Sequence, residues 1–364
     1  MNAHDWEKSN ERVAATFAGE TPDRVPFNIL AAEAVASRVT GLTVREMLLS
    51  PEKLAKASIQ TYEFLGCDFV SLVAPPSGYP GPFEAMAFAK VNRKDNVFLF
   101  KDYDTPSIRE GKICETEKDI KTLEIPDHTE AEPYPTALKA IAIVKQETGI
   151  QQQFNSSLAW SLVQLLRGSK AYIDIRRNPE LIIELCEKIY ASQWDLYRAF
   201  CKDVGKPSFL FNSMYAFNRH MLSFEDAWKF EGQYIVRFCR ESGLPLFIHN
   251  CGFDPYWDEL IERLTREGVR VLGVNGNHPL DLDAWVRFRK KFHDIVIMGA
   301  SIYINAEIAC GSREDVMERV RQNITKLAPY KRFVISPTCN PTWRIPLPNL
   351  LAVGEAVQRY GEYP

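Results

Sequence analysis

The chain has 364 residues, of which 46% are hydrophobic and 25% charged, with a formal net charge of -3. That balance suits a globular protein and gives no basic excess for nucleic acid, no charge block for an interaction tail and no apolar run long enough to span a bilayer. The N-terminus lacks a basic-then-apolar leader, and eight scattered cysteines do not make a disulfide framework in a chain of this size, so a cytoplasmic protein with reduced thiols is expected.

In chain order, Asn10 to Phe17 has helical spacing, and Pro22 to Pro26 breaks it ahead of a first strand over 25–30. Two helical stretches, 43–49 and 51–65, precede a buried strand over 68–74. The stretch 75–128 is then irregular: a Pro/Gly-rich loop, followed by a small hairpin expected to pair 97–102 with 112–114. From Pro135 the rhythm becomes regular. Strands near 151, 208, 245, 269, 294 and 332 alternate with helices. Asn178, Ser223-x-x-Asp226 and Ser312-x-x-Asp315 are read as helix caps. Eight strand–helix units predict a parallel (β/α)8 TIM barrel forming one α/β domain over 1–364, with 75–128 inserted after the second strand. No G-x-G-x-x-G or P-loop pattern is present to favour an open doubly wound sheet.

Chemistry in such a barrel gathers at the C-terminal ends of the strands. In the extended run Pro245-Leu-Phe-Ile-His249-Asn-Cys251-Gly252, residues two apart point the same way, so His249 and Cys251 project together from one strand exit. Cys339, in Ser336-Pro-Thr-Cys339-Asn-Pro341, lies at the last strand exit. Borderline-soft nitrogen and sulfur donors suit zinc, and three of them leave the fourth position open, as catalytic sites do. Water, Asn275 or Glu307 are candidates for that fourth position. The same rule selects Asn155, Asn212, Ser213 and Asn275 as wall residues. Trp160, Tyr215, Phe217 and Trp343, in loops near strand ends, either line an apolar mouth or pack. The other five cysteines and Cys310 are read as packing or surface residues, and His4, His128, His220, His278 and His293 as surface residues.

Several stretches carry a family resemblance: Glu11-Arg12-Val13 with Asp23-Arg24-Val25-Pro26, Ser161 to Gly168, Arg177-Asn-Pro-Glu180, His249-x-Cys251-Gly252, and Cys339 followed by Ile345-Pro346-Leu347. Together they resemble the uroporphyrinogen decarboxylase superfamily, and within it the zinc-dependent, corrinoid-linked methyltransferases. That resemblance implies that His249, Cys251 and Cys339 bind zinc. It implies methyl transfer between a corrinoid protein and a thiol such as coenzyme M. The alternative is demethylation, onto the corrinoid protein, of a methoxylated or methylamine donor. No Asp-x-His-x-x-Gly corrinoid motif occurs, so the corrinoid is expected on a separate partner protein, with a small molecule as the second partner and a homodimer left open. A decarboxylase-like reading is the third. It fits less well, because Ala31 to Ser37 lacks the arginine-rich stretch of that branch and Ser71 to Pro75 lacks its aspartate.

Overall fold

The computed structural model describes residues 4–30, 33–77, 81–337 and 339–363. A short antiparallel hairpin pairs β1 (Phe98–Leu99) with β2 (Ser107–Ile108). Its return arm lies earlier than the expected 112–114, because 109–116 turns back to bond the helix Trp160–Arg167, Gly111 and Cys114 donating to the carbonyls of Leu165 and Leu166. Six parallel strands follow: β3 (Phe154–Ser156), β4 (Leu210–Ser213), β5 (Leu246–His249), β6 (Val271–Gly276), β7 (Val296–Gly299) and β8 (Phe333–Val334), hydrogen-bonded in that order.

The remaining two staves of the barrel are extended segments with little ladder bonding. Phe27 lies beside Ile335, with Asn28 N–H donating to the Ile335 carbonyl at 2.9 Å and Ile335 N–H to the Pro26 carbonyl at 2.9 Å. Asp68 N–H reaches the Phe27 carbonyl at 2.8 Å. Between 68–76 and β3 the ladder is replaced by a side chain. Gln152 accepts from Leu72 N–H at 3.0 Å and donates to the Val70 carbonyl at 2.9 Å, and Asn155 N–H reaches the Pro76 carbonyl at 2.7 Å. The expected strands over 25–30 and 68–74 therefore act as staves without being regular strands.

A buried charge cluster ties these staves together. The Asp68 carboxylate is inaccessible and accepts from both Arg24 terminal nitrogens (2.7 and 2.9 Å), from Arg12, from Ser9 Oγ and from Phe27 N–H at 2.8 Å. Arg12 also grips Asp23 and joins the helix Trp6–Ala18 to the first stave.

The helices form as their end signals dictate. Ser312 and Asp315 close a reciprocal capping box, and the Ser223 hydroxyl accepts from Asp226 N–H. Asn178 makes no side-chain cap; Pro179 simply starts the helix Pro179–Asp203. Among the described residues no helix is long and apolar enough to cross a membrane. Four of the six cysteines outside the strand exits, Cys67, Cys114, Cys186 and Cys239, are buried, in line with packing roles.

Two histidines depart from the surface placement expected of them. His278 is buried against Phe253 and Tyr303. His128 is buried against Tyr134, its Nε2 2.7 Å from Ser192 Oγ, and burial pushes its pKa down to about 4. This gives a pH dependence. Between pH 6.5 and 4 the unfolded chain takes up a proton that folded His128 refuses. Its contribution is therefore intact above pH 6.5 and declines by roughly 3 kcal/mol as pH falls to 4. Urea midpoints of wild type and His128→Gln should converge over that interval; parallel curves would refute the assignment.

Candidate metal centre

β5 and β8 end on the same face of the barrel, and their exits bring three donors together. One ligand atom each from His249, Cys251 and Cys339 lies within 4.8 Å of the other two. Tetrahedral zinc, with bonds of about 2.0–2.3 Å, needs donors roughly 3.3–3.8 Å apart, so small side-chain adjustments suffice.

The local backbone explains why these positions meet. Asn250 between the two β5 donors is buried and fully bonded. Its Nδ2 reaches the Met214 and Phe217 carbonyls, and its Oδ1 accepts from Gly252 N–H and Asn218 Nδ2. Gly252 is required because a Cβ there would overlap the Asn218 side-chain amide. Cys339 has a φ of 77°, in the left-handed region that side chains avoid. Such strain costs of order 1–3 kcal/mol and clusters at functional positions. The loop that follows is pinned by Arg38, whose guanidinium donates to the carbonyls of Trp343 and Ile345.

The neighbouring strands fix the tautomer of His249. Asn275 Nδ2 donates to the Met298 carbonyl at 3.1 Å, which orients its amide. Its Oδ1, 2.6 Å from His249 Nδ1, can then only accept a proton. Neutral His249 is therefore protonated on Nδ1, and the Nε2 lone pair is left as the donor, the usual arrangement behind a metal-bound imidazole. Asn275 is fully buried with both ends engaged; it orients His249 and is no candidate for the fourth ligand. Glu307 is paired with Arg319 at 2.8 Å. The expected result for Asn275→Leu is a ~10–100-fold loss of metal affinity with little change in fold, read by chelator competition.

The two thiols polarise one another. The hydrogen bond from Cys251, and next the adjacent His249, hold Cys339 below the ordinary thiol range; that same bond, with burial, pushes Cys251 up.

The three donors open onto a cavity of about 420 Å³. Asn155 and Ser213 line it, as does Tyr215. Asn212 does not: the pleat of β4 turns it outward, where it accepts from Leu158 N–H and donates to the Ser213 carbonyl, while Phe211 and Ser213 face the cavity. Trp160 is also absent from the lining, being buried against Tyr172 and Phe230. Trp343 stands half-exposed outside it under Arg344. Sequence reasoning missed Tyr62, Ser157 and Gln164, and missed Ser77, Gly81 and Glu110 from the 75–128 excursion, which forms part of the wall. No local period marks any of these six; the alternation Phe209-x-Phe211-x-Ser213 is a signal for Phe211 alone. Among the described lining residues Glu110 is the sole carboxylate and there is no Lys or Arg.

The fold also has a counterpart among solved structures. A methyltransferase from Methanosarcina mazei is similar with a TM-score of 0.74 and 15% identity, over 97% of this chain and 98% of that one. Xylanase B from Clostridium stercorarium F9 overlaps with a TM-score of 0.38 and 14% identity, over 61% and 83% of the two chains. No curated protein matches. The sequence pattern of uroporphyrinogen decarboxylase (URO-D) matches residues 8–360, and the chain belongs to that family.

Proposed function

We propose that the chain acts as one barrel domain and is a zinc-dependent methyltransferase. It would move a methyl group between a corrinoid on a separate protein and a small molecule. The observation that carries this reading is the convergence of a His249 ring nitrogen and the Cys251 and Cys339 sulfurs on a cavity of small-molecule size. The resemblance of His249-x-Cys251-Gly252 and Cys339 to the methyltransferase branch supports it. Zinc, when bound, supplies Lewis acidity, lowering the pKa of a thiol or polarising the heteroatom that bears the methyl. The residues of this chain do the rest. His249, Cys251 and Cys339 hold the ion with a formal charge near zero, Asn275 holds the imidazole, and the hydroxyls of Ser157 and Ser213 offer hydrogen bonds to the small molecule.

The lining favours the sense of transfer in which a neutral methyl donor is demethylated. A sulfonate-bearing thiol such as coenzyme M, or a porphyrinogen with several carboxylates, asks for cations that the described lining lacks, and Glu110 would repel either. The test uses zinc-replete protein with the methylated and the demethylated corrinoid partner, following the cobalt absorption spectrum with coenzyme M and with methoxylated and methylamine donors. Transfer in either sense is expected, and more efficiently with a neutral donor. No spectral change with any pair would sink the proposal.

A further inference from the structure

TIM barrel interiors are normally packed with layers of side chains. This one contains a second hollow of about 370 Å³ beneath the donor atoms, reaching down to the helix Trp6–Ala18. Leu30, Ser71, Ser77, Asn155 and Phe211 border both hollows, so the two are adjacent and share a wall. A run of rings forms one wall: Phe209 lies 5.6 Å from Phe247, Phe247 5.6 Å from Phe211, and Phe211 5.9 Å from His249. Two local features of β6 shape this wall. The register of β5 and β6 skips Leu272, a bulge that brings it against the inner ring cluster, and Gly273 leaves space for the Phe247 ring where a Cβ would collide.

The hollow also contains an unsatisfied group. Asn28 lines it, is 4% exposed, and its Oδ1 accepts no hydrogen bond among the described residues. A buried acceptor without a partner is costly and calls for one. The one charge among the described wall residues, Asp68, is already occupied by Arg12 and Arg24.

We infer that this hollow is a second binding compartment, taking a neutral, ring-sized, largely apolar body that donates one hydrogen bond from a hydroxyl or N–H to Asn28 Oδ1. Identifying that body as part of the methyl-bearing small molecule rests on the reading above; the compartment itself does not. The placement answers a steric need. A bulky corrinoid protein must reach the donor atoms from the open mouth, so a small molecule that shares the site has to lie below them.

The probes are 2-methoxyphenol, anisole, which lacks the donor, and 2-mercaptoethanesulfonate as an anionic control. Calorimetry on zinc-loaded and on chelator-treated protein should show 2-methoxyphenol bound in both. Leu272→Trp, which fills the hollow, should weaken it at least tenfold without changing zinc content. Asn28→Val should weaken 2-methoxyphenol about tenfold and anisole little, and it keeps the test decisive should Leu272→Trp fail to fold. Undiminished binding in both variants, no binding by wild type at millimolar probe, or ordered water alone in crystals soaked with the probe would overturn the compartment. Probe binding that persists in protein without methyl transfer would overturn the function and leave the compartment standing.

Discussion

Cys339→Ala protein, purified without added metal, is expected to lose most of the roughly one zinc per chain that the wild type should carry, with affinity down by well over tenfold. Methyl transfer should fall with it. The left-handed backbone at Cys339 makes the companion variant Cys339→Gly informative. Glycine relieves the backbone strain, so Cys339→Gly should lose metal as Cys339→Ala does yet melt higher than Cys339→Ala, by the equivalent of about 1 kcal/mol. A strained cysteine kept where glycine would be more stable is the pattern of a residue retained for its sulfur. If both variants hold zinc as the wild type does, the centre is elsewhere.

Asp68→Asn should be the most damaging change outside the metal centre. Asp68 is inaccessible, and Arg12 and Arg24 are nearly so. Neutralising the carboxylate leaves Arg24 with little water and no carboxylate partner among the described residues, and leaves Arg12 held by Asp23 alone. It also weakens the acceptor for Phe27 N–H. Removing one partner of a buried pair costs about 3–5 kcal/mol. Denaturant unfolding is the measurement, and a loss under about 1 kcal/mol would show the cluster to be far better hydrated than its burial indicates. Glu46 and Lys53, an exposed pair at 3.2 Å, are the natural control and should contribute almost nothing.

The contrast between these two sites shows what could be read from residues alone. His249 and Cys251 were legible because strand alternation is strictly local, and Cys339 because a polar cysteine closing an apolar run stands out. The six regular strands were legible for the same reason. The first two staves looked like strands by composition, yet their bonding is carried by Gln152, Asp68 and two arginines distant in sequence, which no local period encodes. Parity was the finer failure. The strand-exit rule points to Asn212 and Ser213 alike, although the pleat assigns the cavity to the odd-numbered residues of β4, Phe211 and Ser213. Asn275 was recognised as important but given the wrong task, since its bond to Met298 becomes visible only once β6 and β7 are in register.

The stave over 68–76 has a further consequence, in terms of local opening. Most neighbours in this barrel are joined by a backbone ladder, but here one glutamine side chain stands in for it, and a side-chain amide can rotate away without unfolding a strand. This seam is where the free energy of opening should be lowest, so the amides of Leu72 and Asn155 should exchange with solvent ahead of those in β5 and β6. Ser71, Ser77 and Asn155 flank the seam and border both hollows. The barrel should therefore part most easily beside its own cavity, so that a local opening exposes the cavity walls before any strand unfolds.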